Sequence, residues 1–552
     1  MPRFAAGCRT GLPLAAVLLL VAVCGVRAAP AGGVSPSETA SSADFEIGRA
    51  IYLEGRQPSG ELISARRAGG LPVKGKEAAC VNCHRRSGLG AAEGPFAIPP
   101  ISGPILATAG VRTPRGPRPA YDDDTLARSI REGLDARGDA MDYLMPRYDL
   151  SDGQLRALAA YLRELSSRPS PGAAPDSLRF ATVLAPAADP VRSAAMVDVL
   201  RACFAERNAG PQPERGRHKL APGMSFQKQR KWTLEVWKLQ GGPETWPAQL
   251  AERVGKSPPF AMLSGIGDDT WAPLHRFCED AAIPCLFPQV EVPIVGEGDA
   301  YSLYLSRGLL LEAGLVAGFL GEQGGAAKRV IQVLRAGDTN AAAAAQALAA
   351  ALAKQGVASE QRALAAADGL APKRALQRAL RGIEPGDAVV LWLRQPDVRA
   401  LAQVPPPGEA GALFVSGTLA GFERAPLPAP WKARTLMAYP QELPEKREPR
   451  MAALRRWLAA NGLSPVDDAV QSDADLACRA VSNAVDEMGE NLFRDYLVER
   501  LEVLMERRPS PGRYPRLSLG PDQRVASKNG YIVRFTGPAA TAIEPVGERM
   551  AP

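Results

Sequence analysis

The chain has 552 residues, more than one hydrophobic core supports, and so divides into about two to four domains. A hydrophobic share of 46% and a charged share of 23% are ordinary for globular protein. The net charge of +7 is carried by Lys and Arg scattered along the chain rather than gathered in one run, which argues against nucleic acid as a partner.

Residues 1–28 predict a cleaved secretory signal, with Arg3 and Arg9 as its positive start, 12–23 as its apolar segment and Val26-Arg27-Ala28 as its cleavage site. The apolar run is short for a membrane span. Cys24 offers a lipid-anchor alternative, although Val23 before it is bulkier than that motif prefers. Export and release into the periplasm is the expectation. Residues 44–55 then predict an amphipathic helix, with Phe45, Ile47, Ile51 and Tyr52 as core positions.

Cys80-Val81-Asn82-Cys83-His84 reads C-x-x-C-H. This spacing puts two thiols on one turn, where they add to the two vinyl groups of a single haem, and holds His84 at the iron as proximal ligand. Two alternatives fit worse. A zinc site needs four ligands, and the other histidines, His218 and His275, lie far off. A thioredoxin-like pair follows a strand and opens a helix, whereas the flanks here, 70–76 and 85–90, are loop-like. One covalent haem c is therefore the expected cofactor.

Asp122-Asp123-Asp124 opens a helix marked by Leu126, Ile130 and Leu134, its acidic turn favoured by the helix dipole. No second histidine lies in this region, so the sixth iron ligand falls to methionine. Met145, in a loop stiffened by Pro146, is expected to be that distal ligand. Met141 competes for the role but reads better as packing. Ser151 then caps a helix whose Leu155, Leu158, Leu162 and Leu165 recur at helical spacing.

From 40 to 167 these features resemble the class I c-type cytochromes from end to end. In that family the first and last helices cross, and Gly48 offers a place for an aromatic such as Tyr161 to approach. The resemblance implies an all-α cytochrome c domain. It also implies that Pro99 or Pro100, in Ile98-Pro99-Pro100-Ile101, accepts a bond from the second nitrogen of His84 and so fixes its tautomer; a plain turn is the other reading of that segment. Two strong axial ligands leave iron no open position and raise its potential relative to bis-imidazole, which suits a one-electron carrier.

Residues 166–177 lack periodicity and are rich in proline, and 168–177 read as a semi-stiff linker. Beyond it, strands at 180–185, 232–239, 260–263 and 283–287 alternate with helices at 191–204, 246–254 and 271–281. A long helix is expected over 301–321, followed by strands at 329–334, 388–393, 413–416 and 434–438. The alanine-rich stretch 341–353 is helical. Such alternation predicts mostly parallel sheets with helices on both faces. From 178 to 536 the order resembles the type I periplasmic-binding proteins, the branched-chain amino acid receptors most of all. That resemblance implies a two-lobed α/β domain holding a ligand between its lobes, met by loops from both. In the loop 263–268, whose amides and Ser264 hydroxyl would receive a carboxylate at a helix N-terminus, Ser264 and Gly265 are the candidates, with 335–340, led by Arg335, and Ser416-Gly417-Thr418 at comparable places in the second lobe. The alternative is that these loops are only turns and caps.

Cys203, Cys278, Cys285 and Cys478 remain once the signal and the haem have claimed the rest, an even number in an oxidising compartment. Three pairings are open, Cys278 with Cys285 being the closest in sequence, and buried free thiols are the alternative. G-x-S-x-G, Walker A, H-E-x-x-H and G-x-G-x-x-G motifs are absent. His218 reads as part of a solvated basic loop, and His275 as a helix-surface or packed residue.

The preferred expectation is a periplasmic monohaem cytochrome that carries single electrons from a dehydrogenase or other donor to an acceptor cytochrome or oxidase. Its second domain would dock a partner or bind a small molecule such as an amino acid or carboxylate. The alternative is a solute-binding receptor or redox-gated sensor in which the haem is secondary. An oxidoreductase reading finds no general base and no second cofactor.

Overall fold

A computed structural model describes residues 36–552 except 94–95, 114–115, 211–229, 268–269, 323–326, 366–371, 409, 508–511 and 537–541. The signal expected at 1–28 and His218 lie outside the described residues. No helix among those described is long and apolar enough to cross a membrane.

In the N-terminal unit the helix Pro36–Glu54 crosses the helix Asp152–Glu164. Gly48 permits the crossing, because a Cβ there would stand 2.1 Å from the Ala157 carbonyl oxygen and 2.8 Å from Cβ of Tyr161. Phe45 and Tyr52 then pack on the Tyr161 ring, with centroids 5.3 and 5.2 Å away. Ser151 and Gln154 close a reciprocal cap on the second helix. Asp122 does the same for Asp123–Glu132, accepting the Thr125 amide at 2.8 Å, so the acidic triplet serves a helix end. That helix stops at Gly133, whose φ of 73° terminates it before Leu134.

The unit is not all-α. Ser64–Arg66, Pro72–Lys74 and Arg147–Tyr148 form an antiparallel sheet, and Ala91–Glu93 with Phe96–Ile98 and Val111–Thr113 with Gly116–Arg118 form two hairpins. These segments are short and interrupted by glycine and proline. A helix nucleus costs more than so few residues return, so they pair locally as strands instead.

Two open sheets build the remainder. The first is wholly parallel, in the order Val525–Ser527, Ser302–Ser306, Cys285–Leu286, Ala261–Leu263, Ser177–Leu184, Lys231–Lys238. The second runs Ala358–Leu364, Arg329–Arg335, Asp387–Trp392, Ala412–Ser416 and Thr435–Tyr439 in parallel, then adds Tyr531–Phe535 and Ile543–Pro545 antiparallel. The chain passes between these lobes three times, at 306–309, 439–444 and 527–531.

The long helix expected over 301–321 is split. Ser302–Ser306 is a strand and only Leu309–Glu322 is helical. A buried apolar run fits either period, and Gly308 decides between them. Its φ is 54°, and a Cβ there would lie 2.0 Å from the Glu291 carbonyl oxygen. The helices Pro444–Ala460, Asp468–Met488 and Arg494–Arg507 return to the first lobe, where Met451, Leu476 and Leu497 share a core with Phe180 and Leu200. Disulfides join Cys203 to Cys478 and Cys278 to Cys285.

Residues 168–177 do not form a free spacer. The Ser170 amide donates to the Leu492 carbonyl at 3.0 Å, and the Ser170 hydroxyl accepts the Arg494 amide at 3.0 Å. The two units also touch directly. Arg85 pairs with Glu502, Ser87 bonds Glu499, and Arg86 lies over the Tyr301 ring at 5.8 Å.

Candidate haem site and interlobe cleft

Cys80 caps the short helix Val81–His84, and the His84 amide closes the turn on the Cys80 carbonyl at 3.0 Å. This single turn carries both thiols and the imidazole, and neither cysteine is in a disulfide. Burial pushes the Cys80 thiol up to about 12, with the Tyr148 hydroxyl opposing, so the sulfur stays protonated until it is used. His84 is 6% exposed. Its burial lowers the imidazole below its ordinary value and keeps it neutral, the Pro99 carbonyl opposing.

Nδ1 of His84 lies 3.0 Å from the Pro99 carbonyl oxygen. A carbonyl only accepts, so the proton sits on Nδ1 and Nε2 keeps its lone pair for a metal. Of the two prolines left open by the sequence, Pro99 makes this bond. Met145 is half-buried and packs on the same core as Cys80 and Val81. Its loop is turned by the Met145 amide donating to the Asp142 carbonyl at 3.2 Å. Met141 is tied through its amide to the Gly133 carbonyl at 2.8 Å.

A buried neutral imidazole with a committed proton, two thiols on the same turn and a thioether on the same core suit a covalent haem. Cys80 and Cys83 would carry the thioether links, and His84 and Met145 the iron. When bound, the group supplies a one-electron iron couple. The chain leaves this turn at Arg85, whose φ of 67° is unusual for a side chain of that size. Its carbonyl is held by the Tyr52 hydroxyl at 2.6 Å.

Between the lobes lies a cleft of about 1630 Å³. Arg335 lines it, paired with Asp397 through Nε at 2.8 Å. Ser264, Gly265 and Ser416 do not stand on its wall. Ser264 is buried and its hydroxyl has no partner, while Gly265 gives Trp271 room. Ser416 caps the turn Gly417–Ala420 and donates to the buried Glu312. Ile266, Gly267 and Thr418, one or two residues further on in the same expected loops, face the cleft.

Sequence reasoning placed Asp338 and Asn340 in a candidate ligand loop but missed Arg394 and Glu291, with which they form the strongest charged feature of this wall. Arg394 donates to both oxygens of Glu291 at 2.8 and 2.7 Å, and to Asp338 at 2.7 Å. Asn340 donates to Glu291 at 3.0 Å. Glu291 lies in the irregular segment between two first-lobe strands, whereas Arg394, Asp338 and Asn340 follow second-lobe strands, so the group bridges the lobes. Arg424 with Asp468 at 3.2 Å and Arg447 with Glu423 at 2.9 Å bridge them again. No local motif marks these pairs. The signal was only an arginine or acid just beyond a strand end, where ligands of open α/β sheets gather.

Residues 74–166 match the family Cytochrome c, which implies covalently bound haem. No curated protein matches the chain. Among solved structures it is similar to a possible leucine/isoleucine/valine-binding protein from Rhodopirellula baltica, at 13% identity and a TM-score of 0.47, over 69% of this chain and 98% of that one. It is also similar to a branched chain amino acid ABC transporter from Thermus thermophilus with bound valine, at 12% identity and a TM-score of 0.49, over 68% and 97%. A leucine binding protein from Thermotoga maritima aligns at 12% identity and a TM-score of 0.46, over 68% and 99%. The chain thus joins a segment that matches the family Cytochrome c to a two-lobed α/β domain built on two open sheets.

Proposed function

We propose that this protein is a periplasmic monohaem c-type cytochrome that passes single electrons from a donor dehydrogenase to an acceptor cytochrome or oxidase. Residues 40–167 would form its haem domain and 178–536 its appended binding domain. One observation carries the reading: on the C-x-x-C-H turn, His84 is buried and gives its Nδ1 proton to Pro99. That arrangement leaves the Nε2 lone pair for iron. Cys80 and Cys83 would anchor the macrocycle, and His84 and Met145 would hold its iron. The group would supply a one-electron couple, and the chain's task would be to hold both of these side chains in place.

The test is the spectrum of the mature protein made together with haem-attachment machinery. The wild type should show a low-spin haem with the long-wavelength sulfur-to-iron band. Met145→Ala should lose that band and open the iron to carbon monoxide. A wild-type protein that already binds carbon monoxide would refute the carrier.

The cleft supports a second reading, in which the chain is a solute receptor or redox-gated sensor. Its paired arginines and carboxylates suit an amino acid or small carboxylate. A thermal-shift screen with such compounds should reveal stabilisation that grows with concentration, about 2.7 kcal/mol at a hundredfold excess over Kd. No shift with any of them would leave partner docking as the role of this domain.

A further inference from the structure

Glu499 and Glu502 lie three residues apart on the helix Arg494–Arg507 and so share one face. Both are buried, and both face the loop that leaves His84. Glu499 accepts the Ser87 amide at 2.8 Å and the Ser87 hydroxyl at 2.6 Å. Glu502 accepts Arg85 on one oxygen and Arg524 on the other. Arg524 is itself buried and also donates to the Ala300 carbonyl at 2.8 Å.

The positions of Arg524 and Ala300 give this network its meaning. Arg524 immediately precedes the strand Val525–Ser527, which leads into the lobe crossing at 527–531. Ala300 stands just before Ser302–Ser306, which leads into the crossing at 306–309. The two strands are paired, Tyr304 with Val525 and Ser306 with Ser527. Two of the three lobe crossings are therefore rooted at one carboxylate, and that carboxylate also holds the residue after His84.

We propose that Glu502 couples the haem-bearing loop to the interlobe hinge, so that a change at the loop biases lobe opening and occupancy of the cleft biases the haem. This rests on the haem reading above. Drawing either arginine away from this buried carboxylate costs a charge pair, so a displacement of Arg85 pulls on Glu502 and through it on Arg524. Packed elements of this kind move between discrete arrangements, and the resulting coupling is reciprocal.

Hydrogen–deuterium exchange on the full-length holoprotein tests this without an identified ligand. Ferric protein, oxidised with ferricyanide, is compared with ferrous protein, reduced by one electron from ascorbate. Amides of 525–531 and 306–309 should exchange about fivefold or more differently between the two states. Glu502→Gln should abolish the difference and leave the haem spectrum in place. Should that variant fold poorly, Arg85→Gln cuts only the arm to the haem loop, keeps the pair with Arg524, and should likewise abolish it. Equal exchange in both wild-type states overturns the coupling, as does a difference that survives the substitutions. A uniform rise in both states on substitution, with no redox dependence, marks a purely structural clamp and also overturns it. A colourless protein overturns both this proposal and the haem reading, whereas a coloured one with an indifferent hinge overturns only the coupling.

Discussion

Glu312, on the helix Leu309–Glu322, is fully buried and accepts the Ser416 hydroxyl together with the Thr418 amide and hydroxyl. Burial pushes its carboxyl up to about 7, and these bonds only partly oppose the rise. Because the folded value exceeds the unfolded one, folding favours the protonated form. The stability this group contributes is whole below about pH 4.5 and is lost as pH rises through about 7, about 3 kcal/mol in all. Glu499 is raised to about 7 by the same cause and adds to the slope. Urea denaturation between pH 4.5 and 7.5 should therefore show stability falling with pH, and Glu312→Gln should make that fall shallower. A slope unchanged in the variant would show that Glu312 titrates normally. At this scale the sequence identified Ser416 as a loop residue but not its partner, because Glu312 lies on another element and no spacing announces it.

Among the elements, the crossing of the first and last helices of the N-terminal unit depends on one missing methyl group. Gly48→Ala would place a carbon against the Ala157 carbonyl, which is backbone and cannot turn aside. The gain in helix propensity is about 1 kcal/mol, and the overpacking cost of about 2–3 kcal/mol exceeds it. Thermal unfolding of the holoprotein should therefore shift downward, and an upward shift would mean that the helices stand further apart. This contact was legible in advance, since glycine facing a tyrosine on a capped helix has few other uses. The strand Ser302–Ser306 was not, because its alternation is masked by burial on both faces. The small sheets of the haem unit escaped for a related reason. Their strands are two or three residues long, too short to show a period.

Across the whole molecule, the first lobe is assembled from both ends of the two-lobed domain. The Cys203–Cys478 disulfide, with a sequence separation of 275, fastens the early helix to the late one. Closing so long a loop restricts the unfolded chain by up to about 5 kcal/mol, against about 2 kcal/mol for Cys278–Cys285 with a separation of 7. Replacing Cys203 and Cys478 together by serine should lower the urea midpoint clearly more than replacing Cys278 and Cys285. The reverse order would show that loop length does not set their contributions.

What the sequence determined by itself was local chemistry: the C-x-x-C-H turn, the Ser151 cap, and the alternation that becomes two α/β sheets. Each of these is written within a dozen neighbouring residues, where period, capping and ligand spacing act directly on the backbone. Only the tertiary structure decided which cysteines pair and which loop residues reach the cleft. It also decided that Ser87 docks on Glu499, 412 positions away. Contacts of that range arise when apolar faces bury together, and burial fixes them by shape and desolvation rather than by any pattern along the chain.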